Sequence, residues 1–207
     1  DANAEKTKYS TGAGGGSGSG QMKLSLTNID GADAGAAMVY NNVGNYLFFN
    51  VNGTSERLRI DSTGAVTMPA QPCFLARVGS NKLNVTGNGA NYTIAYDTEI
   101  FDQGGDYASN TFTAPVAGRY QFNATAQVSG FSAANYCVMQ LVASNRTISL
   151  IYLSAPRTTT TINGSHIVDM DVGDTAYIKL LAEGESSDVV DVYGGATESY
   201  FSGALLA

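Results

Sequence analysis

The chain has 207 residues with 11 basic and 18 acidic side chains, a net charge of −7 and two cysteines. A negative surface repels phosphate backbones and anionic lipid, which excludes nucleic acid and an anionic membrane as partners, and no apolar run is long enough for membrane insertion. Gly, Asn, Ser and Thr are plentiful and no heptad or amphipathic helical period persists, so the composition predicts an all-β protein of short strands and tight turns.

Residues 1–20 end in the run Thr11-Gly12-Ala13-Gly14-Gly15-Gly16-Ser17-Gly18-Ser19-Gly20. Such a run buries no core and is expected to be a flexible tether. It is not collagen, because no Gly-X-Y triplet persists and no proline accompanies it. Asp1 to Ser10 reads as an attachment peptide that orders on a larger partner. A start at Asp1, without Met, is expected of a processed form or a fragment.

Residues 21–68 read as a β-meander, a shaft or collar. Met22–Leu26 alternates, Ala36–Tyr40 is a short strand, and Tyr46–Val51 runs into Asn52-Gly53, a hairpin signal, before Ser55–Asp61 returns. Tyr46–Val51 is apolar on both faces, so Tyr46 and Phe48 are expected to be covered by another chain. A sheet this small is marginal alone.

Residues 69–207 read as one head. Residues 73–207 carry six basic and twelve acidic side chains, so the head is acidic. After Pro69 and Pro72 come Cys73–Val78, a polar stretch to about Ala90, and Tyr92–Tyr96. Pro115 and Gly118 turn into a long alternating strand, with Tyr120, Phe122, Ala124, Ala126 and Val128 on one face and Arg119, Gln121, Asn123, Thr125 and Gln127 on the other. Further strands follow, with turn chemistry at Ser144-Asn145, Asn163-Gly164, Gly173-Asp174 and Gly194-Gly195. In Cys137–Ala143 and Thr147–Leu153 both alternating sets are mainly apolar. A lone sandwich would expose one set, so Tyr136, Val138, Ile151 and Leu153 are expected at subunit contacts. Cys73 and Cys137 permit one bridge; both sit in apolar strands, where a free thiol packs as a small hydrophobe, and free thiols are the expectation.

Phe112, Gly118, Tyr120 and Phe122 resemble the signature of the globular head of complement C1q, a trimeric jelly roll related to the tumour-necrosis-factor fold. Tyr96, Asp102 and Tyr107 fit its upstream half, Val172–Thr175 its Gly-Asp turn, and Phe201–Leu206, with Gly203, its closing strand. The Tyr107–Phe112 loop is shorter than the family's, and Ala124 replaces an aromatic. The resemblance implies a two-sheet jelly-roll sandwich of about ten strands and a homotrimer. Glu56–Val66 also resembles a recurring segment of bacteriophage tail and appendage fibres.

Catalytic chemistry is sparse. His166 lies in a strand pattern, which suits a sheet histidine better than a general base, and no enzyme activity is expected. An enzyme acting on surface glycans would need carboxylates converging in a groove. No cofactor is expected; calcium is the minority case, on Asp169, Asp171, Asp174 and Asp188, with Asp191 nearby. The bland alternative makes these the wet face of a strand. Six Asn-x-Ser/Thr sequons begin at Asn52, Asn84, Asn91, Asn123, Asn145 and Asn163, read as compositional in a bacteriophage protein and as glycan sites in a secreted one.

Receptor contacts are expected in the loops Gly79–Tyr92, Asp102–Asn110 and Glu183–Asp188, with Asn88, Asn91, Tyr92 and Tyr107 as the candidates for binding host glycan or protein. The leading reading is a non-enzymatic virion appendage: tail fibre, head fibre or capsid decoration. It docks on a virion structural protein through residues 1–20 and attaches to a host surface. The alternative is a secreted, extracellular recognition or signalling ligand of complement type.

Overall fold

Strand-forming sequence dominates, and every regular element among the described residues is a β-strand. The computed structural model describes residues 9–11, 21–27, 33–41, 46–51 and 55–207. The chain divides into two units, Asp1–Ala70 and Gln71–Ala207.

The first unit holds β1 (Tyr9–Thr11), β2 (Gln21–Thr27), β3 (Asp33–Asn41), β4 (Tyr46–Val51), β5 (Ser55–Ile60) and β6 (Val66–Thr67) in one antiparallel sheet that keeps chain order. Within residues 1–20, β1 joins this sheet: Tyr9 pairs with Leu24 and Thr11 with Met22. The glycine run and the Asn52-Gly53 turn lie outside the described residues, while β4 and β5, which flank that turn, pair antiparallel. The fibre-like segment forms β5, a turn and β6. Asp61 closes that turn, its Oδ1 accepting the Thr63 and Ala65 amides at 2.8 and 3.0 Å. Gly64 supplies the left-handed φ of +88°. On β4, Tyr46 and Phe48 are half-buried with rings 5.6 Å apart, and the Arg59 guanidinium sits 4.3 Å over Tyr46.

The second unit is a two-sheet jelly-roll sandwich built on β13 (Gly118–Ser129). Its alternation is realised: Tyr120, Phe122, Ala124, Ala126 and Val128 are buried. β7 (Cys73–Arg77), β8 (Lys82–Thr86), β10 (Thr98–Gln103), β16 (Thr160–Met170), β18 (Val190–Tyr193) and β19 (Tyr200–Leu205) complete its sheet. The order is β10-β7-β19-β13-β18-β8, with β16 also on β13. The facing sheet runs β11 (Tyr107–Ala108), β12 (Thr111–Thr113), β17 (Thr175–Glu183), β14 (Tyr136–Ala143), β15 (Arg146–Ser154), with β9 (Asn91–Thr93) on β17. These thirteen strands exceed the expected ten, because short stretches such as β8 and β11 still join the ladders.

The signature residues are core residues. Tyr96, Tyr107, Phe112, Tyr120, Phe122 and Phe201 are all buried. Phe74 stacks on Tyr107 at 4.5 Å, Phe112 meets Phe122 edge-on at 5.6 Å, and Phe122 stacks on Phe201 at 5.8 Å. Gly203 leaves room for them, since a Cβ there would meet Phe74 and Phe122 ring atoms at 2.6 and 2.7 Å.

β15 corrects one expectation. Its pairing slips between Met139 and Gln140: Met139 faces Ile151, but Gln140 faces Ser149. Leu150 is the extra residue, a bulge that resets the two-residue period. Ile148, Ile151 and Leu153 therefore all pack, half-buried, against the core. Leu150 reaches across to the other sheet, where a Cβ on Gly164 would lie 2.7 Å from its own Cβ. Asn163-Gly164, expected as a turn, lies inside β16, where the missing Cβ leaves room for Leu150.

Candidate recognition surface

Loops acquire function when a rigid frame fixes them, and β13 sets the frame here. Its first residues lie where the chain enters and leaves the head: Leu205 N–H donates to Pro72 O and Arg119 N–H to Ala207 O. Its last residues lead to the opposite end, where Ser129 pairs with Asp191 and Val189 N–H donates to Thr86 O. Four loops gather there.

Glu185 ties them together. Its Oε1 accepts the amides of Ser132, Ala133 and Ala134 at 2.7, 2.8 and 2.8 Å, and its Oε2 accepts the Ser132 hydroxyl at 2.6 Å. These donors, the Ser132 hydroxyl foremost, hold the carboxyl down at about 2. The Glu185 amide donates to Gly87 O at 3.0 Å, joining the β8–β9 loop. Arg157, in the β15–β16 loop, donates to Ala134 O at 2.6 Å. The four loops thus form one hydrogen-bonded platform. Composition gave no sign of Glu185's role, since an acidic loop residue is ordinary and its three amide donors lie some fifty positions away.

The outer face of the β17–β14–β15 sheet adjoins this platform. Tyr136 lies in register with Glu183 and Ser154, and Val138 with Leu181 and Tyr152. Asn91 extends the second row beyond Leu181. The Tyr136 and Tyr152 rings stack at 5.4 Å and 18°, and the Tyr136 hydroxyl donates to Glu183 Oε2 at 2.5 Å, which raises its pKa. Val138 is only 6 % exposed, covered by its own neighbours, whereas Tyr152 is 61 % exposed.

Asn88 and Asn91 are exposed near the platform; Asn88 Oδ1 accepts the Ala90 amide. Tyr92 is half-buried against the core, and burial raises its pKa. Tyr107 is a correction: at 4 % exposure its ring stacks on Phe74 and its hydroxyl donates to Tyr96 O, so no partner reaches it. The Asp102–Asn110 loop also departs from the platform, because Gln103 pairs with Cys73 at the chain-entry end.

The acidic residues do not converge. Among the described residues, no three His, Cys, Asp or Glu side chains form a metal group. Asp169 pairs with Arg146 at 2.5 Å beside the start of β13, and Asp174 caps its own turn through the Asp171 amide. Asp188 lies at the other end, next to Val189. A cleft of about 320 Å³ at the entry end is lined by Gly118, Arg119, Asn145, Asp169, Asp171 and Ala207. His166 is exposed on β16. Cys73 and Cys137 are both free. No helix among the described residues is long and apolar enough to cross a membrane.

Compared with known families, residues 76–206 match the C1q domain. The chain belongs to the C1q domain family. The C1q match takes in all but the first strand start of the sandwich, and trimers are the usual assembly of this family. Among solved structures, the globular domain of a zebrafish complement 1qA protein is similar at 17 % identity, over 66 % of this chain and 98 % of that one, with a TM-score of 0.47. Murine APRIL, crystallised at pH 8.5, is similar at 8 % identity, over 66 % and 99 %, with a TM-score of 0.45. No curated protein matches the chain. As a C1q domain, the head is a recognition module.

Proposed function

We propose that this C1q domain is the trimeric, non-enzymatic knob of a virion appendage that attaches to a host surface. The carrying observation is the Glu185-centred platform: four loops are fixed by hydrogen bonds at the end of the head opposite its entry. Loops held in place before contact lose little entropy on binding. Three copies on one axis turn three weak sites into one strong attachment. The trimer rests on family membership. The virion setting rests on the Gly-rich arm and the fibre-like β5–β6 segment, with residues 1–20 as the docking peptide.

Light scattering on the full chain tests the assembly; we expect three times the 21.6-kDa chain mass, and a monomer overturns the proposal. Removal of residues 1–20 leaves a trimer that no longer joins the particle. A secreted complement-type ligand is the second reading, favoured by the exposure of Asn84, Asn91, Asn123, Asn145 and Asn163 in their sequons. Mass spectrometry of the native protein separates the two, because only the secreted ligand carries glycans at these sites.

A further inference from the structure

We propose that the outer face of the β17–β14–β15 sheet, at Tyr152, Tyr136, Glu183 and Asn91, binds an uncharged oligosaccharide. This rests on reading the head as a recognition module, and it adds a contact on the sheet beside the loop platform.

The geometry supplies what a sugar needs. Tyr136 stacks on one face of the Tyr152 ring and fixes it, while 61 % of Tyr152 stays open to solvent. The electron-rich face of a phenol attracts the C–H face of a pyranose, and a ring already held by its neighbour loses little freedom. Glu183 spends Oε2 on the Tyr136 hydroxyl, and its Oε1 remains to accept sugar hydroxyls. Asn91, exposed at the far end of the row, offers both a donor and an acceptor. Between them half-buried Leu181 gives the surface an apolar floor, with Val138 buried beneath its neighbours, in register from Asn91 to Tyr152.

Size and charge select the occupant. The row spans three strand spacings, roughly 15 Å, and the two rows together are about 7 Å deep, so the patch covers on the order of 100 Å². A protein partner needs about 800 Å² per side, which this patch does not offer. A carboxylate at its edge repels acidic sugars, so the ligand is uncharged.

The test displays uncharged and sialylated oligosaccharides on an array and presents the full chain to it. At least one uncharged oligosaccharide binds; Tyr152→Ala weakens it at least about tenfold, Tyr152→Phe keeps it, and Glu183→Gln weakens it. Thermal melting of the exposed-site variants stays at the wild-type value. Binding to none of the array, binding to sialylated members alone, or an undiminished Tyr152→Ala variant each overturns the site. Host-cell attachment separates the two proposals. Wild-type attachment that Tyr152→Ala leaves intact overturns the glycan site and spares the recognition head. No attachment by the wild type overturns the recognition head itself.

Discussion

Glu185 holds Ser132 by two atoms at once, taking its amide on Oε1 at 2.7 Å and its hydroxyl on Oε2 at 2.6 Å. One carboxylate thereby replaces the water that the β13–β14 loop amides would otherwise bind.

That contact is pH-dependent. The native carboxyl titrates at about 2 against an ordinary 4.5, so the folded state favours the charged form. Its stabilisation is fully present above about pH 4.5 and is lost as pH falls from there through about 2. Hydrogen exchange at the Ala133 and Ala134 amides should accelerate in Glu185→Gln, on the order of tenfold at pH 7. Unchanged protection would show that the loop holds itself.

Gly203 faces two rings that have nowhere to go. Gly203→Ala should lower stability by about 1–3 kcal/mol, because its Cβ would stand 2.6 Å from Phe74 and 2.7 Å from Phe122. Urea denaturation measures this, and a wild-type midpoint would mean the aromatic core yields.

The thiols should differ sharply. Cys73 is half-buried, while Cys137 is fully buried, with its pKa pushed up to about 12 by desolvation. A thiol reagent at pH 8 should label Cys73 readily and Cys137 at least about 10³-fold more slowly, through the unfolded fraction. Because the folded thiol is neutral, Cys137 contributes stability at neutral pH that is lost as pH rises above its ordinary value of 9.0. Equal labelling would contradict the packing of β14.

The β15 bulge predicts a fourth effect. Gly164→Val should destabilise the head by about 1–3 kcal/mol, since the new branches would strike Leu150 at the seam where β15 meets β16. Calorimetry detects it, and an unaltered melting temperature would show that the seam is slack.

Strand periodicity made much of the fold legible. The Arg119–Val128 alternation specified a half-buried central strand because side chains must alternate along extended backbone. The resemblance placed Tyr96, Phe112, Tyr120, Phe122 and Phe201 in one family pattern, and all became core. Tyr107 shows the limit: its sequence position fits both the family signature and a receptor-loop contact, and packing against Phe74 decides for the core.

The sequence by itself determined the all-β class and the face that β13 buries, since these depend on local alternation and turn chemistry, and its resemblance to the C1q signature pointed to the family. Tertiary structure alone decided that Leu150 bulges out of register, that Glu185 finds amides some fifty residues away, and that Tyr136, Tyr152 and Glu183 meet. Those outcomes depend on cross-strand register, and register is a property of paired strands rather than of either strand alone.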